Sequence, residues 1–202
     1  MKLKIILWMV LVLLGAFVLF GAESLAMQQS LSAKTLRLHV IANSDSAEDQ
    51  AEKLALRDYL LSLLSPLTEQ CYNLNDTVAT ISLHLEALEA SCEEFLAKEG
   101  SGQSVKLTLG KEQYDTRNYE TFSLPAGEYL SLRALIGKGE GKNWWCVAYP
   151  GLCTAACIQD FQTEADTAGY TAREKDLITG KAPQYELRFK LLEWVNSLFR
   201  FF

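Results

Sequence analysis

Basic charge is short in this chain of 202 residues, and histidine is nearly absent. Nineteen Lys and Arg stand against twenty-five Asp and Glu, a formal charge of −6. That deficit excludes the basic footprint of a nucleic-acid binder. Internal repeats and low-complexity tracts are missing too, which excludes solenoid and linker architectures. With 49% apolar and 22% charged residues, wholesale disorder is excluded. The sharpest absence is local, because no charge occurs from Ile5 to Ala22.

That gap is flanked by Lys2 and Lys4, and a basic end before an apolar run is the pattern of an export signal. Eighteen helical residues reach roughly 27 Å, close to the hydrocarbon thickness of a bilayer. Ser24-Leu25-Ala26 also offers small residues to a signal peptidase. Residues 1–26 therefore read as a signal peptide or an uncleaved membrane anchor, with the rest of the chain outside. Without that segment the charge falls from −6 to −7.

Downstream, Leu36 to Ala42 alternates as a strand with Leu36, Leu38 and Val40 on one face. Asn43 to Asp49 follows as a helix entrance in which Ser46 and Asp49 form a capping-box pair. The spacing of Leu54, Leu61 and Leu64 predicts a helix that stops before Pro66. A second helix, opened by Asn75 or Asp76, carries a stripe of Val78, Ile81, Leu85, Leu88, Cys92 and Phe95. Strands are predicted at Val105–Leu109, Tyr119–Leu124, Leu130–Ile136 and Trp144–Tyr149. The last two read as a hairpin joined by Gly137-Lys-Gly-Glu-Gly141. Residues 159–184 read as a polar surface excursion with one short helix. Glu186 to Phe202 forms a final helix with Leu187, Leu191, Trp194 or Val195, Leu198 and Phe202 facing inward.

Helices first, strands joined by short turns, and a terminal helix define an α+β fold. The expected form is a single domain over 34–202, with an antiparallel or mixed sheet and helices packed on one face. A doubly wound parallel fold would need helices between the late strands, and there is no room for them.

The chemistry-bearing residues weigh against catalysis. His39, Ser44 and Asp45 lie close in sequence, but a triad is a geometric object, and no Gly-x-Ser-x-Gly surrounds Ser44. A role in ordering the strand-to-helix turn suits these residues better. Asp45, Glu48 and Asp49 offer oxygens to a hard cation, yet a helix dipole favours acidic residues there without any metal. The glycine-rich 137–141 segment leads into a strand, so it lacks the helix N-terminus of a phosphate cradle. Cys92 reads as a buried small apolar residue, and His84 as a flank of the helix stripe. Around a two-residue Pro150-Gly151 turn, Cys146 and Cys153 are diagonal neighbours about 7–8 Å apart, so they pair only if the turn is wider. Neither catalytic residues, metal ligands nor a cofactor are expected.

Two blocks resemble the stage II sporulation protein R family. The first is Leu36-Arg-Leu-His-Val-Ile-Ala-Asn-Ser-Asp-Ser46, continued by Asp49-Gln50 and by Lys53 through Arg57-Asp58. The second is Asn143-Trp-Trp-Cys-Val147 with Pro150 and Leu152-Cys153. Leu124-Pro-Ala-Gly127, Leu132-Arg133, Ile136-Gly137, Arg188-Phe-Lys190 and Glu193 support them, so the resemblance spans roughly 34–194. Tyr149-Pro-Gly151 and Thr154-Ala-Ala-Cys157 depart from the Phe-Pro-Pro and Cys-Phe of the family pattern.

The resemblance implies an intercompartmental signal of endospore formation, made in the forespore and exported into the space between the forespore and mother-cell membranes. There such a protein triggers a membrane-embedded aspartic protease of the mother cell, which processes the precursor of an early mother-cell sigma factor. Activation by binding is the expected mechanism. The expected contact patches are Arg37 and His39 with Asn43, Ser44 and Asp45, and the Trp144–Trp145 pair, with core packing expected for at least one tryptophan. The rival expectation is an exported hydrolase of cell-wall or other extracellular substrate, using His39, Ser44 or Cys146.

Overall fold

A computed structural model describes residues 2–119, 121–151, 157–181 and 185–199. Backbone contacts divide the chain into two compact units. One comprises Met1–Leu31, Gln113–Gly127 and Ala172–Phe202; the other comprises Ser32–Glu112 and Glu128–Thr171.

The second unit holds most of the sheet. Strand β1 (Leu36–Ile41) is an interior strand, because the sheet order is β2-β5-β1-β6, with β2 at Val105–Tyr114, β5 at Gly127–Ile136 and β6 at Asn143–Tyr149. It pairs parallel with β5, Leu36 opposite Leu130, and antiparallel with β6, Val40 opposite Trp144. The mixed α+β reading therefore holds, but the predicted hairpin does not. β5 and β6 are separated by β1, which lies about 4.8 Å from each. Their glycine-rich connection crosses the end of β1 instead of closing a turn.

Helix α2 (Ala47–Thr68) starts where Ser46 Oγ accepts the Asp49 amide at 3.1 Å. It runs through Pro66 and ends two residues beyond it. A proline in the last turn forfeits one backbone bond without disturbing those before it. The buried face is Lys53, Leu56, Leu60 and Leu64, while Leu54, expected inside, is exposed. Helix α3 (Leu74–Lys98) is capped by Asn73, whose side chain accepts the Asp76 amide at 3.0 Å. It buries Thr77, Ile81, Leu88, Cys92 and Leu96. Burial pushes the Cys92 thiol up to about 12, so it stays protonated and acts as a packing group. α2 and α3 pack on each other, stacking Tyr59 on Phe95 with centroids 4.3 Å apart.

Residues 159–184, expected as a surface excursion, contribute to two helices, α4 (Cys157–Thr167) and α5 (Ala172–Ile178). Phe161, Ala165, Leu177 and Ile178 are buried.

The first unit is organised by helix α1 (Lys2–Ser32), long and apolar enough to cross a membrane. Its side chains from Leu3 to Leu19 are largely exposed, whereas Ser24, Gln28 and Leu31 are buried. Glu23 pairs with Arg173 of α5, and with Arg188 of α6 (Tyr185–Phe199) at 2.9 Å. A small ribbon of β3 (Arg117–Asn118) and β4 (Ser123–Leu124) belongs to the same unit. In α6 Leu187 and Trp194 of the predicted inward stripe turn outward and Leu191 is half-buried, while the side chains of Val195, Leu198 and Phe202 lie outside the described ones. Arg188, Phe189, Leu192 and Asn196 are buried.

Candidate functional site

Parallel pairing puts the C-terminal ends of β1 and β5 at one edge of the sheet. β6 starts at that edge, so the 137–142 connection must pass over the turn that leaves β1. Four bonds fasten it there. The Gly141 and Glu140 amides donate to the Ala42 and Asn43 carbonyls at 2.9 and 3.1 Å. Those of Lys138 and Lys142 donate to the side chains of Asn43 and Asp45 at 3.0 and 2.7 Å. Glycine is needed because a Cβ at 141 would overlap the Ser44 carbonyl.

The turn is held from the α2 side as well. Asp49 accepts from Asn43 Nδ2 at 3.0 Å and from Ser44 Oγ. Those hydrogen bonds hold its carboxyl below the usual Asp value. Gln50 donates to the Ser44 carbonyl at 2.8 Å and accepts from Lys53 at 2.7 Å. Lys53, 4% exposed, also donates to the Lys142 carbonyl at 3.1 Å. Burial lowers its pKa, opposed by the Asp45 carboxylate.

Asn43, Ser44 and Asp45 thus order the turn, as their positions in sequence suggested. His39 does not join them. Its Nδ1 lies 3.2 Å from both Glu112 oxygens and its Nε2 lies 3.0 Å from Asn143 Oδ1. The ring stacks on Trp145 at 5.5 Å. A His39–Ser44–Asp45 constellation is not formed, since Ser44 is committed to Asp49. Cys146 is disulfide-bonded and buried, so it presents no thiol; Cys153 lies outside the described residues. Among the described residues no group of three or more His, Cys, Asp and Glu is placed to hold a metal ion.

Arg37 needs correction. It was expected on a contact face, but it is fully buried, its guanidinium 5.1 Å from the Tyr129 ring centroid. Side chains packed over this end of the face, Tyr129 of neighbouring β5 among them, cover it, while His39 two residues on stays half-buried. The expectation of a core tryptophan also fails. Trp144 is 39% exposed and Trp145 is half-buried.

The surface that remains open is built from both blocks. Arg57 lies over the Trp144 ring, 4.5 Å from its centroid, while its other edge makes a bidentate contact with Asp58 at 2.7 and 2.9 Å. Exposed Leu54 lies one turn before Arg57 on α2. Neither Leu54 nor Arg57 stood out as a contact residue by sequence alone. The sequence signal was their i, i+3 spacing, which puts both on one helix face.

The site is thus a hydrogen-bonded polar turn next to Trp144, which is exposed and lies against the half-buried Arg57 guanidinium. The stage II sporulation protein R sequence profile matches residues 32–159, and the chain belongs to that family. It is 27% identical over 217 residues to Stage II sporulation protein R of Bacillus subtilis (strain 168), covering 96% of this chain and 97% of the relative. No solved structure matches. Membership assigns the chain a role in sporulation.

Proposed function

We propose that this protein is an exported signal that activates a membrane-embedded aspartic protease by binding it, so that the protease processes a sigma-factor precursor. The carrying observation is the convergence of the two family blocks on one ordered patch. Its polar residues are spent on rigidity, leaving Trp144 and Leu54 exposed, with Arg57 half-buried against the Trp144 ring. Rigid exposed aromatics and arginine suit an interface anchor. A bound activator shifts a protease toward its active state only by binding that state more tightly.

The export segment stays attached in this reading. The last turns of α1 are part of a folded core, with Ser24 1% exposed and Gln28 5% exposed. Cleavage after Ala26 would remove Glu23, the carboxylate partner of nearly buried Arg188. The helix then serves as an anchor, with the rest of the chain on the outer face of the forespore membrane. The intact mass of the exported form checks this: it should correspond to a chain that keeps residues 1–26, and a start near Met27 would refute it.

The functional test is reconstitution by co-expressing this protein, the candidate protease and the sigma-factor precursor. Precursor cleavage should require the exported protein and should fall sharply with Trp144→Ala. Equal processing with and without the protein would sink the reading.

A further inference from the structure

Helix α6 buries Phe189 and Leu192 but leaves two large apolar residues, Leu187 and Trp194, on its exposed side. At 100° per residue, Arg188, Phe189, Leu192 and Asn196 fall on one face, and all four are buried. Asn196 Nδ2 donates to the Tyr114 carbonyl at 3.2 Å, closing that face. Leu187 and Trp194, seven residues apart and therefore nearly aligned, are 61% and 57% exposed. Lys190 beside them is exposed too. Glu186 and Glu193 continue the exposed side beyond Lys190, and a face that runs from leucine and tryptophan into charged residues has the amphipathic make-up of a membrane-interface element.

Its position supplies the occupant. The large exposed apolar side chains of α1 run without a charge from Ile5 to Leu19. α6 meets α1 immediately after that stretch. The Arg188 guanidinium lies 4.8 Å from the Phe20 ring centroid, and Leu191 is 3.8 Å from where a Cβ of Gly21 would sit. Leu191 adjoins Leu187 and Trp194 on the helix wheel, so the exposed stripe lies on the α1 side of α6.

We propose that the Leu187–Trp194 face of α6 is a lipid-binding surface that lies in the headgroup layer next to the exit point of α1. The proposal rests on the reading of α1 as a retained membrane span. Arg188 and Glu23 then form a buttress at the water side of that boundary, fixing the angle between span and interfacial helix.

The four tryptophans make both claims separable in one experiment. The full chain, labelled with 5-fluorotryptophan, is reconstituted in phosphatidylethanolamine–phosphatidylglycerol vesicles, and the resonances are assigned by single Trp→Phe variants. Trp8 should lose its fluorine signal to a nitroxide placed mid-chain in the lipid. Trp194 should lose its signal to a nitroxide on the headgroup. If Trp8 is broadened while Trp194 is identical with and without headgroup nitroxide, the span stands and the interfacial helix is refuted. If Trp8 is untouched as well, the span is refuted and the interfacial proposal falls with it.

Discussion

Trp144 and Gly141 are close in sequence and opposite in consequence. Trp144 is exposed at the Arg57 contact, so Trp144→Ala should leave the melting temperature within a few degrees of the parent. On the proposed reading of Trp144 as an interface anchor, worth about 2 kcal/mol or more of binding, affinity for the proposed protease partner should drop by at least tenfold. Gly141→Ala should do the reverse. Its methyl meets backbone, which cannot swing aside, and overpacking of this kind costs about 1–3 kcal/mol; urea unfolding reads it. Asp49 sets an acid limit on the same turn. Its carboxyl titrates below the usual value, so its bonds to Asn43 and Ser44 contribute fully above the unfolded pKa and are lost as pH falls through the folded one. Asp49→Asn should therefore flatten the acid limb of the stability–pH curve, measured by thermal melts between pH 2 and pH 5.

At the scale of elements, the residues that form β1, α2, α3, β5 and β6 were readable, those of α4, α5 and the β3–β4 ribbon were not, and the neighbours of each element often were not either. β1 was visible from the alternation of Leu36, Leu38 and Val40, and the start of α2 from Ser46 and Asp49. The 130–149 region looked like a hairpin because local pattern reports what lies next along the chain. It cannot report that a strand from a hundred residues earlier inserts between the two arms. The same blindness affected Arg37, whose burial follows from side chains packed over it, Tyr129 of β5 among them, and not from its own neighbours in sequence. In α6 the apolar spacing was real, but the buried side was the one containing Arg188 and Asn196. Tertiary partners, Glu23 among them, decided which face turned inward. Of the candidate site, the turn-ordering role of Asn43, Ser44 and Asp45 was legible because their partners lie nearby in sequence, whereas the stacking of Arg57 on Trp144 joins residues far apart in the chain and left no local signal. Shortening Gly137–Gly141 to a two-residue turn tests the topology. Such a turn suits adjacent strands, and here the arms are about 9.6 Å apart, so the variant should lose its strand signal in far-ultraviolet circular dichroism.

For the whole molecule, the apolar stretch of α1 and the fold of the first unit share one helix. The apolar half of α1 faces outward and its last turns are core, so a cut at residue 26 passes through folded structure. A chain starting at Met27 should show faster amide exchange in α6 than one starting at Phe20, which keeps Glu23 and Ser24. Equal exchange in the two would mean that the Glu23–Arg188 pair does not hold α6.

The place of β1 between two later strands also sets a schedule. Its partners are at residues 130–135 and 143–149, so the central ladder closes only after nearly three-quarters of the chain is available. Non-local pairing of this kind is slow to form. For a chain threaded through a membrane from its N-terminal end, that slowness is useful. The first strand to emerge has nothing to pair with, and the sheet cannot lock until the segment that completes it has also crossed. On the proposed export reading, the sheet of this chain is therefore completed only on the far side of the membrane.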